Sequence, residues 1–251
     1  MLLEGKTALV TGASGGIGLE TVRLLNRNGC RVYAIARDAD KLSQGAREID
    51  PTGKNIICAP CDITSKTALD EVFKRFEADG VSTDILINAA GICRQTELAG
   101  ISLDEFDETV NTNLTAVLEL SKRCFPMMKE KGGGKIVNIS SILAFCGHSG
   151  LGAYSASKAA VAMLTKSMAC EWAPYNIQVN CIAPGCISTN MTLDLLKNEE
   201  LHHKLVARTP AKRIGSPAEV AEVVLFLCSG MSDFVTGATI PVDGGMSAVL
   251  M

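Results

Sequence analysis

A chain of 251 residues, 47% hydrophobic and 20% charged, is too apolar for disorder and long enough to bury a large core, with one α/β domain over 1–251 as the expected unit. No apolar run reaches the length of a membrane span. A net charge of -3 gives no general attraction to nucleic acid or anionic lipid, so the expected partner is a small molecule whose phosphates are gripped locally.

The first predicted strand, 7–10, runs into Thr11-Gly12-Ala13-Ser14-Gly15-Gly16-Ile17-Gly18, and helix-patterned sequence follows over 19–28. A glycine turn between strand and helix lets backbone approach a pyrophosphate, and the helix amino terminus offers free N–H groups and partial positive charge. The spacing Gly12, Gly16, Gly18 is not GxGxxG, so the turn alone also fits a tight turn without ligand. The second strand, 32–36, ends in Ala36-Arg37-Asp38, about twenty residues past the last glycine, where a dinucleotide fold reads the adenosine ribose. An acid there selects NAD(H). Arg37 offers a bidentate cation to a 2′-phosphate, which favours NADP(H); the alternative is that Asp38 turns to the ribose and NAD(H) is used.

The third strand, 55–59, leads into Cys58-Ala59-Pro60-Cys61, the form of a redox or half-metal motif. No second cysteine pair completes a zinc site, and the ten cysteines are scattered through apolar segments, so structural thiols in a reducing compartment are expected. Residues 1–6 show no basic region followed by an apolar stretch, so a cytoplasmic location is expected. Strands at 85–87 and 135–139 follow, the latter ending in Ser140-Ser141, whose hydroxyl can bond a substrate oxygen.

Tyr154-Ser155-Ala156-Ser157-Lys158 opens a helical stretch to about 173. Four residues of separation put Tyr154 and Lys158 on one helix face, about 6 Å apart along the axis. At roughly 4 Å and an effective dielectric near 20, an ammonium attracts a phenolate by about 4 kcal/mol before desolvation. The tyrosine is therefore expected to fall from about 10 toward neutrality and to exchange a proton with a carbonyl or alcohol. A sixth strand spans 177–183. The stretch 188–207 interrupts the rhythm and reads as a lid, before Ser216-Pro217-Ala218-Glu219 caps another helix and a seventh strand spans 239–242. Strands apolar on consecutive positions, alternating with helices, imply a doubly wound seven-stranded parallel sheet with helices on both faces.

In motif order the sequence resembles the short-chain dehydrogenase/reductase family over almost its whole length. The motifs are 11–18, Asp62, Asn88-Ala89-Ala90-Gly91, Asn113 in Asn111-Thr112-Asn113-Leu114, Ser141, Tyr154 with Lys158, and Pro184-Gly185. The resemblance implies a single Rossmann domain in which Tyr154 is the general acid/base and Ser141 polarises the carbonyl. Lys158 holds the nicotinamide ribose, and Asn113 holds a water for proton relay. It further implies that Gly12, Ser14, Gly16, Ile17 and Gly18 cradle the cofactor and that Asp62 meets the adenine. Asn88 and Gly91 line the groove, and Pro184, Gly185, Ile187 and Thr189 flank the nicotinamide. Ser140 packs instead of reacting. Gly15 stands where many NADP-dependent relatives carry a basic residue, which leaves Arg37 to do most of the 2′-phosphate work.

Segments 213–219, 236–237 and 243–250 look like the subgroup of 3-oxoacyl-carrier-protein reductases and gluconate 5-dehydrogenases, which implies a homotetramer. Three substrate readings stay open. A carrier-bound acyl thioester needs basic residues at the mouth; Lys131 is suitably placed, but Tyr175 falls where an arginine is frequent. A sugar acid could be clamped by Arg94. A bulky hydroxysteroid could pack on Leu143, Phe145, Cys146, Met191, Leu193, Leu195 and Leu196, with His148 lining the pocket. Three histidines without an acid or cysteine cluster argue against a metal. A non-enzymatic NADP(H)-sensing regulator is the remaining alternative, and the presence of all four catalytic positions weighs against it.

Overall fold

The computed structural model describes residues 1–249; Leu250, the end of the segment 243–250, lies outside the described residues. Seven parallel strands form one sheet in the order β3-β2-β1-β4-β5-β6-β7. They are β1 (Thr7–Thr11), β2 (Arg31–Ala36), β3 (Ile56–Pro60), β4 (Ile85–Asn88), β5 (Gly134–Ile139), β6 (Ile177–Pro184) and β7 (Thr239–Val242). Each expected strand is present, with ends shifted by a residue or so.

Alternate residues of each strand enter opposite layers. Ala8 and Val10 of β1 join Val32 and Ala34 in one core, where Val22 and Leu25 of α1 (Gly16–Arg27) and Leu42 of α2 (Ala39–Ile49) pack. Val220, Val224 and Leu227 of α9 (Pro217–Cys228) complete that layer. On the other face Leu9, Leu86, Ile136 and Val179 meet Leu69 of α3 (Lys66–Ala78) and Leu120 of α5 (Ala116–Glu130). Trp172 of α6 (Gly152–Trp172) closes this second layer. Each fully buried Leu or Ile contributes about 1.5–3 kcal/mol, so both faces of the sheet hold it in register.

Because both neighbours of a buried strand are helices, the cysteine motif splits. Cys58 packs with the first layer and Cys61 with the second, and both thiols are free. Burial pushes both up, the reverse of a reactive pair.

The strand order reverses between β1 and β4, and a crevice opens there beyond the strand ends, where an open α/β sheet holds its ligand. Gly12 turns the chain with φ +68, and a Cβ there would come within 2.8 Å of the Ala90 amide nitrogen. At Gly18, on the first turn of α1, a Cβ would overlap the Gly12 carbonyl. Gly18→Ala should therefore cost about 3 kcal/mol, the upper end for overpacking, because backbone must move. Urea unfolding checks this; a loss under about 0.5 kcal/mol would show that the turn and helix are not in such close contact.

The interval 188–207 carries two short helices, α7 (Leu193–Lys197) and α8 (Glu199–Arg208), neither with a buried residue. Asn198 caps α8, its side chain accepting from Leu201 N. Before α9 the expected cap is complete: Ser216 Oγ accepts from Glu219 N while Glu219 Oε2 accepts from Ser216 N at 2.8 Å.

Candidate active site

Lys158 enters the site from the buried face of α6 and is 5% exposed, its Nζ donating to the Ile139 carbonyl at 2.9 Å. That bond ties the helix to the end of β5, from which Ser141 follows directly. Ser140 Oγ donates to the Lys158 carbonyl at 2.7 Å, so Ser140 packs while Ser141 faces the crevice. Ser141 itself caps a short 3₁₀ turn, its Oγ accepting from Leu143 N at 3.2 Å.

Tyr154 lies one turn from Lys158, whose Nζ stands 5.6 Å from the phenol ring centroid. Burial pushes the phenol up to about 12, helped by the nearby Cys93 thiol, and a hydrogen bond with Ser141 pulls the other way. Burial lowers Lys158 to about 8. Desolvation of the buried phenol is the largest influence on Tyr154 in the cofactor-free chain, opposite in direction to the expected fall toward neutrality. At neutral pH the phenol keeps its proton and is set to donate it.

Asn113 sits where α4 (Leu103–Val110) runs through a π turn (Asn111–Thr115) into α5. The wider turn presents its amide to the crevice wall. Asn113 Oδ1 accepts from Ile92 N at 2.8 Å, and Nδ2 donates to the Ile92 carbonyl and to Ser157 Oγ. A Cβ on Gly91 would lie 3.1 Å from Asn113 Oδ1 and 3.3 Å from Lys158 Nζ, so this glycine leaves room for both side chains behind the crevice wall; Asn113 is buried there and does not line the groove. Ser157 Oγ in turn donates to the Tyr154 carbonyl at 2.7 Å, linking the π turn to the catalytic helix.

The crevice continues from this centre as one groove. Ser14, Gly16, Ile17, Gly18, Pro184, Gly185, Ile187 and Thr189 line the part beside Tyr154 and Lys158. Gly12 and Ser14 connect it to a cavity of about 870 Å³ lined by Arg37, Asp62 and Gly91. Asp62 Oδ1 accepts from Thr64 N at 2.9 Å, which holds its carboxyl below the usual range, with Arg37 adding to the effect. The groove therefore joins the glycine turn to the Tyr154 phenol and a buried lysine.

Residues 12–247 match the family model described as enoyl-(acyl carrier protein) reductase. The chain is a short-chain dehydrogenase/reductase. It is 39% identical over 246 residues to the 3-oxoacyl-[acyl-carrier-protein] reductase of Vibrio cholerae, covering 98% of this chain and 99% of that protein. Against the gluconate 5-dehydrogenase of Gluconobacter oxydans it is 38% identical, covering 99% and 97%. A solved gluconate 5-dehydrogenase from Burkholderia cenocepacia, in complex with NADP and tartrate, superposes with a TM-score of 0.94 at 35% identity, covering 99% and 97%. As a family member the chain is an oxidoreductase acting on CH–OH and C=O groups.

Not every expected site residue reaches the groove of this dehydrogenase/reductase. Asn88 does not line it: its side chain is buried beneath, with Nδ2 donating to Asn138 Oδ1 at 2.8 Å. Asn138 Nδ2 donates on to Thr165 Oγ1, so Asn88 is a tie between β4, β5 and α6. The groove wall is built instead by Ala89, Ala90 and Gly91. Arg94 is no free carboxylate clamp; its guanidinium pairs with Glu108 Oε1 at 2.7 Å on an exposed surface. His148 is exposed and bonds the Ser149 carbonyl, and Leu143 lies in the 3₁₀ turn outside the groove lining.

Two supporting hydroxyls escaped the sequence reading. Buried Thr11 Oγ1 accepts from Ala89 N at 3.1 Å and Ala90 N at 3.2 Å, pinning the ends of β1 and β4 together under the turn. Thr192 Oγ1 accepts from Thr189 N and donates to the Ile187 carbonyl, which seats Thr189 against Gly16. Among the described residues no group of three or more His, Cys, Asp or Glu could hold a metal ion.

Proposed function

We propose that this enzyme transfers hydride between NADP(H) and a ketone or secondary alcohol, with Tyr154 moving the proton. The observation that carries the proposal is the convergence of Tyr154, Ser141 and Lys158 at one end of a glycine-walled groove whose other end carries Arg37. The residues fit the cofactor. Gly12 admits no Cβ beside Ala90, as close approach of a pyrophosphate to backbone requires, and Arg37 has no acidic partner within ion-pair reach among the described residues. When bound, the cofactor supplies or accepts the hydride. The chain does the rest.

In the reducing direction Tyr154 and Ser141 hold the carbonyl oxygen, and Tyr154 gives its proton as negative charge builds there. Lys158 secures the ribose, and Asn113, bonded to Ile92 and Ser157, fixes the water through which the proton is restored. Burial keeps the Tyr154 phenol protonated in the cofactor-free chain, the form that gives a proton to a carbonyl oxygen.

For the substrate, the exposed apolar side chains Met191, Leu193 and Leu195 near and on α7 suit the acyl chain of a 3-oxoacyl thioester. The Arg94–Glu108 pair weighs against a sugar acid, the second reading drawn from the gluconate 5-dehydrogenase relatives. A hydroxysteroid would use the same apolar lid. Purified protein offered NADPH with acetoacetyl-CoA, 5-ketogluconate and a ketosteroid, followed by absorbance of the reduced cofactor, should turn over acetoacetyl-CoA fastest. If only 5-ketogluconate reacts, Arg94 must leave Glu108 on binding and the apolar lid assignment fails.

A homotetramer and a cytoplasmic location complete the proposal. Exposed Leu103 on α4, Leu118 on α5 and Met163 on α6 give these helices apolar outer faces suited to self-association. Ten free cysteines suit a reducing compartment.

A further inference from the structure

The adenosine end of the groove holds basic residues besides Arg37, and of these Lys41 lies beside Gly15 and Gly16. Asp38 caps α2, its Oδ1 accepting from Lys41 N at 3.0 Å, while Lys41 Nζ stands 3.4 Å from Asp38 Oδ2. The Lys41 side chain is otherwise free, 71% exposed. Asp38 and Lys41 both line the groove beside Gly15 and Gly16, and Arg37 and Asp38 line its adjoining half.

The charges decide what this corner can recognise. Arg37 and Asp38 alone sum to zero, a poor host for a phosphate carrying nearly two negative charges. Gly15 adds no side chain. Asp62 and Lys66 line the same cavity and offset each other, so Lys41 makes the corner net positive, and its backbone N and Nζ meet the two oxygens of Asp38, the carboxylate beside Gly15 and Gly16.

We propose that Lys41 is a specificity-determining residue for the cofactor, supplying with Arg37 the cationic pair for the 2′-phosphate and neutralising Asp38. This inference rests on the NADP(H) reading above. The lysine's flexible stem can pivot from Asp38 Oδ2 to a phosphate while the backbone bond keeps the carboxylate in its cap.

Calorimetric titration with NADP⁺ and NAD⁺, which requires no substrate, tests it. Wild type should bind NADP⁺ the tighter. Lys41→Ala should weaken NADP⁺ about tenfold, the worth of one charge-assisted phosphate contact, and NAD⁺ less than about twofold. Lys41→Arg should restore most of the NADP⁺ affinity, which loss of helix structure alone would not allow. Arg37→Ala, as comparator, should weaken NADP⁺ selectively as well. If Lys41→Ala leaves the ratio of the two affinities unchanged while Arg37→Ala lowers it, the Lys41 assignment is overturned and the NADP(H) reading stands. A wild-type protein that binds NAD⁺ as tightly as NADP⁺ overturns both.

Discussion

Tyr154→Phe is expected to lower kcat for ketone reduction about 10³-fold while leaving the affinity for NADP⁺ within about twofold. The substitution keeps the ring that packs near Lys158 and removes only the hydroxyl that Ser141 bonds. What is lost is the proton delivered to the developing alkoxide, a contribution made in the transition state and not in binding. Steady-state kinetics beside calorimetric cofactor titration separate the two. A variant with wild-type kcat would remove Tyr154 from the chemistry, and one that no longer bound NADP⁺ would make it a cofactor ligand first.

Lys158→Met should produce two opposite effects. Turnover should fall about 10²-fold or more, since on the proposed function the ammonium anchors the nicotinamide ribose beside Tyr154. Stability without cofactor should rise. Lys158 titrates at about 8 in the folded chain against 10.5 for an ordinary lysine, so the unfolded chain binds the proton more tightly. Its cost to folding is complete below about pH 8 and vanishes as pH rises through 8 toward 10.5. The shift corresponds to about 3 kcal/mol, of which losing the hydrogen bond to the Ile139 carbonyl takes back about 1 kcal/mol. Urea unfolding should therefore show the variant about 2 kcal/mol more stable at pH 7, with the advantage gone near pH 10. An advantage unchanged between those pH values would mean that lysine charge is not its source.

Several strands were legible because they are apolar on consecutive positions and buried on both faces, as Ala8, Leu9 and Val10 show. The cap at Ser216 was legible because it is made within four residues. The helices α7 and α8 were not, since they are short and neither buries a residue against the core. Asn88 was misplaced for a tertiary reason: its partner Asn138 lies 50 residues away, on the neighbouring strand. The partner of Arg94 was hidden for the same reason, because Glu108 is brought to it by α4.

The catalytic pair shows the same division. Helical spacing placed Tyr154 and Lys158 on one face, and the structure brings them together with Ser141. Spacing could not give the depth of burial, and burial sets the protonation state of both groups. The sequence therefore predicted which residues assemble but not that the phenol would hold its proton so firmly.

Hydride transfer itself is tested most directly by isotope. NADPH carrying deuterium at the transferable C4 position, incubated with the enzyme and acetoacetyl-CoA or 5-ketogluconate, should yield an alcohol one mass unit heavier at the former carbonyl carbon. Oxidation of the labelled cofactor without deuterium in the alcohol would contradict the account.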